Sequence, residues 1–395
     1  MQWDKCLKML NKDILEKLSE KEPYWLKQKR MEAWKLFQEI QLPNLRYGLH
    51  IQANLAGLDL NSINPLADKK SIIIPEIKTR GVTVIDMHLA LNKYPELLKN
   101  NLMSCIDFSE NKLTALHSAF WNNGLFIHVD KDVEAELPVI FHPGHPYQLT
   151  NILIILEPGS KLIFTENIGS NKGVFNSENV EIIVKDNASV VFNSVQKLYP
   201  GSYHFTIKRA KLGKNASIRW LDFCLGSKLV RSEITTYLQK EGANAKNYGI
   251  FFGNSRQQFD LVTNSFHEAP YTNSEIITKG ALNNKAKAIY RGLVKIHKNA
   301  HHSNGFQKED TLLLSPDAEI NPMPNLEIDN DEVKCSHGAS IGRIDEAKMF
   351  YLQSRGINKE DATKMVVQGF FDPMINELGK GLAEELKAVI EEKLK

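Results

Sequence analysis

The chain has 395 residues, of which 42% are hydrophobic and 24% charged, and its formal net charge is +2. That length is enough for one large core or several smaller ones, and the composition is that of an ordinary globular protein. A charge so near balance makes no demand for nucleic acid or an anionic membrane surface as partner.

No apolar run approaches the roughly 18 residues needed to cross a bilayer. The longest candidate, Ile152 to Leu156, is strand-sized. Met1 to Leu10 holds neither an uninterrupted apolar stretch nor a small-residue cleavage site, so a cytoplasmic protein is expected. Cys6, Cys105, Cys224 and Cys335 lie far apart. They fit neither a disulfide framework nor a Cys-x-x-Cys metal site, which rules out a four-thiolate cage built by one chain.

The first 40 residues read as helical. Leu7, Leu10, Ile14 and Leu18 recur at spacings of three and four. Pro23 is placed to open a second helix, since a first-turn proline loses no internal hydrogen bond. Leu26, Arg30, Trp34 and Phe37 share a face of it, and Pro43 ends the pattern. Residues 44 to 80 are irregular, with Gly48, Gly57, Pro65 and Pro75. Asp86 to Asn101 reads as a helix interrupted at Pro95, and Ser109 to Trp121 as a weaker one.

From Gly124 the character changes. Short β-branched and aromatic runs follow one another: Leu125 to Val129, Val139 to Phe141, Ile152 to Leu156, Lys161 to Thr165, Val180 to Val184 and Ser189 to Asn193. A turn-like tag recurs between them, with Ser160, Ala188, Ala216 and Ala243 in equivalent places 28, 28 and 27 residues apart. Weaker echoes fall at Ala286, Ala318 and Ala339. Such a period is the mark of stacked repeats, and strand-rich units without intervening helices point to a parallel β-helix. Periodicity alone leaves an antiparallel sandwich as the alternative, because it also yields short strands with turn signals.

The β region is expected to end near Gly342. Asn358-x-x-Asp361 reads as a capping box with Asp in place of Glu, opening a helix whose apolar face holds Ala362, Met365, Val366 and Phe370. Asp372-Pro373 reads as an N-cap and first-turn proline, so a new helix is expected there. Leu378, Leu382, Leu386, Ile390 and Leu394 continue a stripe that must meet something.

Two segments are specific. One is Phe266-His267-Glu268-Ala269-Pro270-Tyr271-Thr272-Asn273-Ser274 with Tyr290-Arg291-Gly292. The other comprises Leu312-Leu313-Leu314-Ser315-x-x-Ala318, Pro324-Asn325-Leu326-Glu327-Ile328, Asp331 to Gly342 around Cys335-Ser336-His337-Gly338-Ala339, and Phe350-Tyr351-Leu352-x-Ser354-Arg355-Gly356-Ile357. Together they resemble the SufB/SufD family of iron–sulfur cluster assembly proteins over roughly residues 80 to 375. The Cys-Ser-His-Gly-Ala run is similar to the SufD-like version. Where SufB-like chains carry a cysteine before Asp-x-x-Leu, this sequence has Glu309 before Asp310-Thr311-Leu312-Leu313.

The resemblance implies a mainly β protein: a right-handed parallel β-helix flanked by helical N- and C-terminal regions. The expected divisions are residues 1–123, 124–342 and 343–395. It implies a scaffold subunit, not an enzyme, that pairs with a SufB-like chain, or a second copy, through the β-helix ends. A SufC-like ATPase would bind the C-terminal helices, and the complex would build and transfer a nascent iron–sulfur cluster. The rival readings are a carbohydrate-active β-helix enzyme and a metal-free adaptor between ATPase subunits. Against the former, no compact Asp/Glu group is visible on successive coils.

Cys335 and His337 are two apart, so on an extended chain they leave the same face. A thiolate and an imidazole there make a ligand pair for iron or zinc, with the remaining ligands from a partner or solvent. The alternative is a buried small hydrophobe and a hydrogen-bonded core histidine. Glu309 is a further candidate ligand, against the alternative of a solvated loop charge. His301 and His302, being adjacent, would face opposite ways on a strand and could not share a site there. His267 shows no acid–base partner by spacing. Gly213-Lys214 is followed by Asn215 and lacks the upstream glycine of a phosphate-binding loop, so ATP must be hydrolysed by another protein. Phe370, Phe371, Met374, Leu378 and Leu382 are the candidates for ATPase binding, with internal packing of the tail as the alternative.

Overall fold

The computed structural model describes residues 10–41, 46–47, 51–52, 66, 72–73, 79–141, 147–376, 378 and 380–394. Leu7, Cys6, Pro43 and most of the irregular stretch 44–80 lie outside the described residues.

Two nine-stranded sheets face each other. The front sheet runs from Ile72–Ile73 to Lys334–Arg343, and the back sheet from Val82–Asp86 to Glu319–Ile328. From Asn123 onward successive strands alternate between the sheets, and neighbours within a sheet are parallel. Ser189, for example, pairs with Lys161 on one side and Ser217 on the other. Parallel register between strands one coil apart makes this a parallel β-helix and excludes the sandwich. The first pairing in each sheet, Ile72–Ile73 on Glu134–Phe141 and Val82–Asp86 on Asn123–Val129, is antiparallel.

The recurring tag is the corner of each coil. Asp132, Gly159, Asn187, Asn215, Gly242, Tyr271 and His302 all have positive φ and stack on one another. Each donates its backbone N–H to the next coil, as Gly159 does to Asp186 and Asn187 to Lys214. A Cβ on Gly242 would meet Asn215 Oδ1 at 2.1 Å, so the left-handed backbone and the close approach both select glycine there. Ser160, Ala188, Ala216 and Ala243 follow these corners and are fully buried. The row continues through Thr272 and Ser303, whose hydroxyls lie 2.8 Å apart. The echoes at Ala286 and Ala318 belong instead to the opposite corner, after Asn284 and Ser315, and Ala339 sits within a strand. Gly213-Lys214-Asn215 is one of the turns.

Most strands run longer than their apolar runs, as in Lys161–Gly169 and Ser189–Lys197. Their second halves carry inward-facing polar residues such as Glu166, Ser194 and Gln196, which hide the alternation.

Helices cover both outer faces. Lys12–Leu18, Tyr24–Glu39, Met87–Lys93, Pro95–Asn101 and Lys112–Phe120 lie over the back sheet, where Leu26, Trp34, Phe37 and Phe120 pack with Phe126, Leu153 and Phe175. Buried Arg30 donates to both oxygens of Glu22 at 2.7 Å and lies 4.3 Å from the Trp121 ring. Lys359–Ile375 and Lys380–Lys393 pack on the front sheet. There Val367, Phe371, Met374, Leu386 and Ile390 meet Val195, Phe223, Ile250 and Phe252. Asn358 caps Lys359–Ile375, its Oδ1 accepting from the Asp361 N–H at 2.8 Å. The helix expected to start at Asp372-Pro373 does not. Pro373 lies inside Lys359–Ile375, near its C-terminal end. No helix among the described residues is long and apolar enough to cross a membrane.

Candidate functional site at the open end

The interior of the solenoid is apolar at its sides and polar along its middle. Residues paired in a parallel sheet point the same way, so each register position forms an internal row. One row of the front sheet runs Glu166, Ser194, Asp222, Gly249, Thr278, Glu309, Ala339. The next runs Trp220, Asn247, Ile276, Gln307, His337.

Opposite Glu166 and Asp222, buried Lys208 enters from the back sheet, with Nζ 2.7 Å from Asp222 and 3.4 Å from Glu166. Burial pushes the Glu166 and Glu178 carboxyls up, whereas the Lys208 ammonium holds Asp222 below the usual range despite its burial. The reading that no acids gather on successive coils is therefore wrong. Glu166, Glu178 and Asp222 do gather, but inside the solenoid and not in a groove. Glu166, Ser194 and Asp222 stand 28 residues apart, so the repeat already carried the signal.

Toward the far end the two rows reach Glu309 and Gln307 on strand Asn304–Leu313, both fully buried. Glu309 is thus no solvated loop charge. Its Oε1 accepts from the Thr311 hydroxyl, its Oε2 has no hydrogen-bond partner among the described residues, and burial pushes its carboxyl up to about 7. Gln307 reaches across to Gly292, where a Cβ would stand 1.8 Å from its Nε2. This crossing accounts for the glycine of Tyr290-Arg291-Gly292.

Lys334–Arg343 is the last strand of the front sheet, and no strand among the described residues pairs with its outer edge. Cys335 pairs with Gly305 and His337 with Gln307, so both side chains occupy inward rows. With no coil beyond them they face outward from the end: His337 is exposed and Cys335 half-buried. A Cβ on Gly305 would stand 3.0 Å from the Cys335 Sγ, which places the sulfur over that glycine, and Cys335 packs against the apolar cluster at this end of the interior. Burial raises the Cys335 thiol above its ordinary value. Cys105 and Cys224 are buried, and burial pushes the Cys105 thiol up to about 12 and that of Cys224 well above the ordinary value. Among the described residues no three His, Cys, Asp or Glu side chains are gathered to hold a metal ion unaided.

Comparison with known proteins gives this end a context. The description "SUF system FeS cluster assembly, SufBD core domain" matches residues 140–370, and "SufBD protein N-terminal region" matches residues 69–140. The chain belongs to the SufBD family. It is 30% identical to the iron–sulfur cluster assembly protein SufD of Bacillus subtilis (strain 168) over 98% of both chains. It is 32% identical to iron–sulfur cluster assembly SufBD family proteins of Staphylococcus aureus (strain USA300) and Staphylococcus haemolyticus, covering 80% of this chain and 69% of theirs.

The two specific segments of this SufBD chain have different fates. His267 is a buried structural group whose ring nitrogens each lie 2.8 Å from a hydroxyl, Thr272 Oγ1 and Ser274 Oγ, and desolvation lowers it to about 4. The Cys335-Ser336-His337 run is on the open edge. In the tail, Phe371 and Met374 are buried against the front sheet, and Leu378 and Leu382 pack on the same cluster. Phe370 is half-buried, with Lys279 Nζ 4.7 Å from its ring centroid. As a partner surface Phe371 and Met374 are corrected to internal packing, because the stripe needed a cover and the solenoid flank supplies it. The exposed apolar groups of this region are Phe350, Tyr351 and Met365.

Proposed function

We propose that this chain is a non-enzymatic scaffold subunit of a cytoplasmic Suf complex, pairing through its open end with a SufB-like chain or a second copy of itself. A nascent iron–sulfur cluster is the cargo, held where the two ends meet. His337 contributes an imidazole ligand and Cys335 a thiolate, and the partner supplies the rest. Iron displaces the thiol proton of Cys335, so its raised pKa makes capture favour higher pH. ATP hydrolysis belongs to a SufC-like partner docked on the C-terminal helices, for which exposed Phe350 and Tyr351 on Glu346–Ser354 are the anchors.

One observation carries this reading: the family's Cys-Ser-His-Gly-Ala run lies on an exposed terminal strand whose outer edge pairs with no strand among the described residues, where a neighbour's ligands can reach it. His337→Ala is expected to abolish cluster assembly by the reconstituted complex, read by visible absorption under anaerobic conditions, while subunits still co-purify. Full assembly by that variant overturns the site. Replacing Phe350 and Tyr351 with Ser should cut ATPase binding by at least tenfold, an expected loss of about 1.4 kcal/mol or more. Unchanged pull-down refutes the docking surface.

A further inference from the structure

One inward row of the front sheet begins as a stack of aromatic rings and then breaks off. Phe164, Phe192 and Trp220 pair in register on successive coils, with ring centroids 4.9 and 5.1 Å apart. The next member of the row is Asn247, followed by Ile276. An amide is far smaller than an indole. Gly249, the next inward residue on the same strand, brings no side chain at all. A cavity lies there, with Asp222, Cys224, Asn247, Thr263, Thr278 and Tyr290 in its wall. Its volume is about 20 Å³, above the roughly 10–15 Å³ that one water molecule needs.

The wall carries polar atoms that nothing satisfies. Asn247 is 2% exposed and Tyr290 fully buried. Neither Oδ1 nor Nδ2 of Asn247, nor the Tyr290 hydroxyl, has a hydrogen-bond partner among the described residues. Buried polar atoms are nearly always paired, so these three call for a ligand in the space they line. The charge in the wall is already balanced. Asp222 Oδ1 accepts from the Lys208 ammonium at 2.7 Å, and Oδ2 from the Ser232 hydroxyl at 2.8 Å. What remains is a demand for a neutral molecule that both donates and accepts. Asn247 offers one donor and one acceptor, and the Tyr290 hydroxyl can act as either. Water matches both that set and the size.

We propose that this cavity is a binding site for one ordered water, hydrogen-bonded to the Asn247 amide and the Tyr290 hydroxyl. Asn247 lies on front-sheet strand Asn244–Gly253, and Tyr290 on back-sheet strand Lys287–Ile296, one coil further on. The water therefore ties the two sheets together across successive coils. It stands between the Lys208–Asp222 pair and Gln307 with Glu309, where direct side-chain contact does not close the interior. The site is independent of any role for Cys335 and His337.

The test is a crystal structure of the full chain at a resolution that shows ordered waters, with oxygen-17 relaxation dispersion as the count of long-lived internal waters in solution. One isolated peak should lie about 2.7–3.2 Å from an Asn247 amide atom and from the Tyr290 hydroxyl. Asn247→Leu, close to asparagine in volume, should remove the peak and lower the solution count by one while the fold is kept. Tyr290→Phe, which keeps the ring, should weaken the peak or remove it. A parent cavity without density, or equal solution counts in the parent and Asn247→Leu, overturns the proposal. So does a peak with contacts of about 2.0–2.4 Å, which would be a metal ion. An Asn247 amide found turned onto a protein partner also overturns it.

Discussion

The two ends of the solenoid solve the same problem in opposite ways. At the first end the sheets finish in short antiparallel strands, the two-residue Ile72–Ile73 and the five-residue Val82–Asp86. Helices Met87–Lys93 and Lys112–Phe120 lie beside them, so Phe126 and Trp121 are fully buried. At the other end the ten-residue strand Lys334–Arg343 is almost wholly exposed, with Ile341 48% accessible. A long unpaired edge is a template for pairing with another chain, and evolved proteins blunt such edges unless a partner covers them. The contrast teaches that one end is built for the stability of this chain and the other for something outside it.

That contrast is breakable. The largest effect is expected at the closed end. Phe126→Ala removes a ring buried against Tyr94, 5.4 Å away, and should destabilise the chain by about 3–5 kcal/mol in urea unfolding. A cost near zero would mean the cap is not integral to the core.

Glu309 sharpens the comparison from the open side. Its carboxyl is raised to about 7 in the folded chain. The folded state therefore keeps a proton that the unfolded chain gives up at lower pH, near 4.3. Folding stability is unaffected by this group below that value, falls as pH rises toward 7, and stays lower above it. Glu309→Gln removes the penalty. The variant should match the parent at pH 4 and exceed it by about 1–3 kcal/mol at pH 8. A difference independent of pH would show that Glu309 does not titrate in this range.

The smallest effect belongs to Ile341→Ala, which should change the stability of the isolated chain by no more than about 0.5 kcal/mol. The same substitution should weaken end-on pairing, measured by analytical ultracentrifugation of the complex. A large stability loss with pairing intact would reverse the roles assigned to the two ends.

The sequence alone determined the coil repeat, and the parallel register that excludes the sandwich came from the structure; each coil repeats the same local demand: a small residue after a left-handed corner, then an apolar run. Ser160, Ala188, Ala216 and Ala243 report that demand directly. It also determined Cys335 and His337 as a same-face pair, since strand geometry has a period of two. It placed the buried face of the second helix through Leu26, Arg30, Trp34 and Phe37, all of which are buried.

Three further things awaited the tertiary structure. Whether Phe371 and Met374 face a partner or their own domain depends on which apolar surface lies within reach, and spacing is the same for both. The meeting of Lys208 with Asp222 and Glu166 crosses from one sheet to the other, so it depends on how the coil closes. The placing of His301 and His302 at a corner rather than on a strand comes with one positive φ, a backbone choice that residue order alone does not reveal.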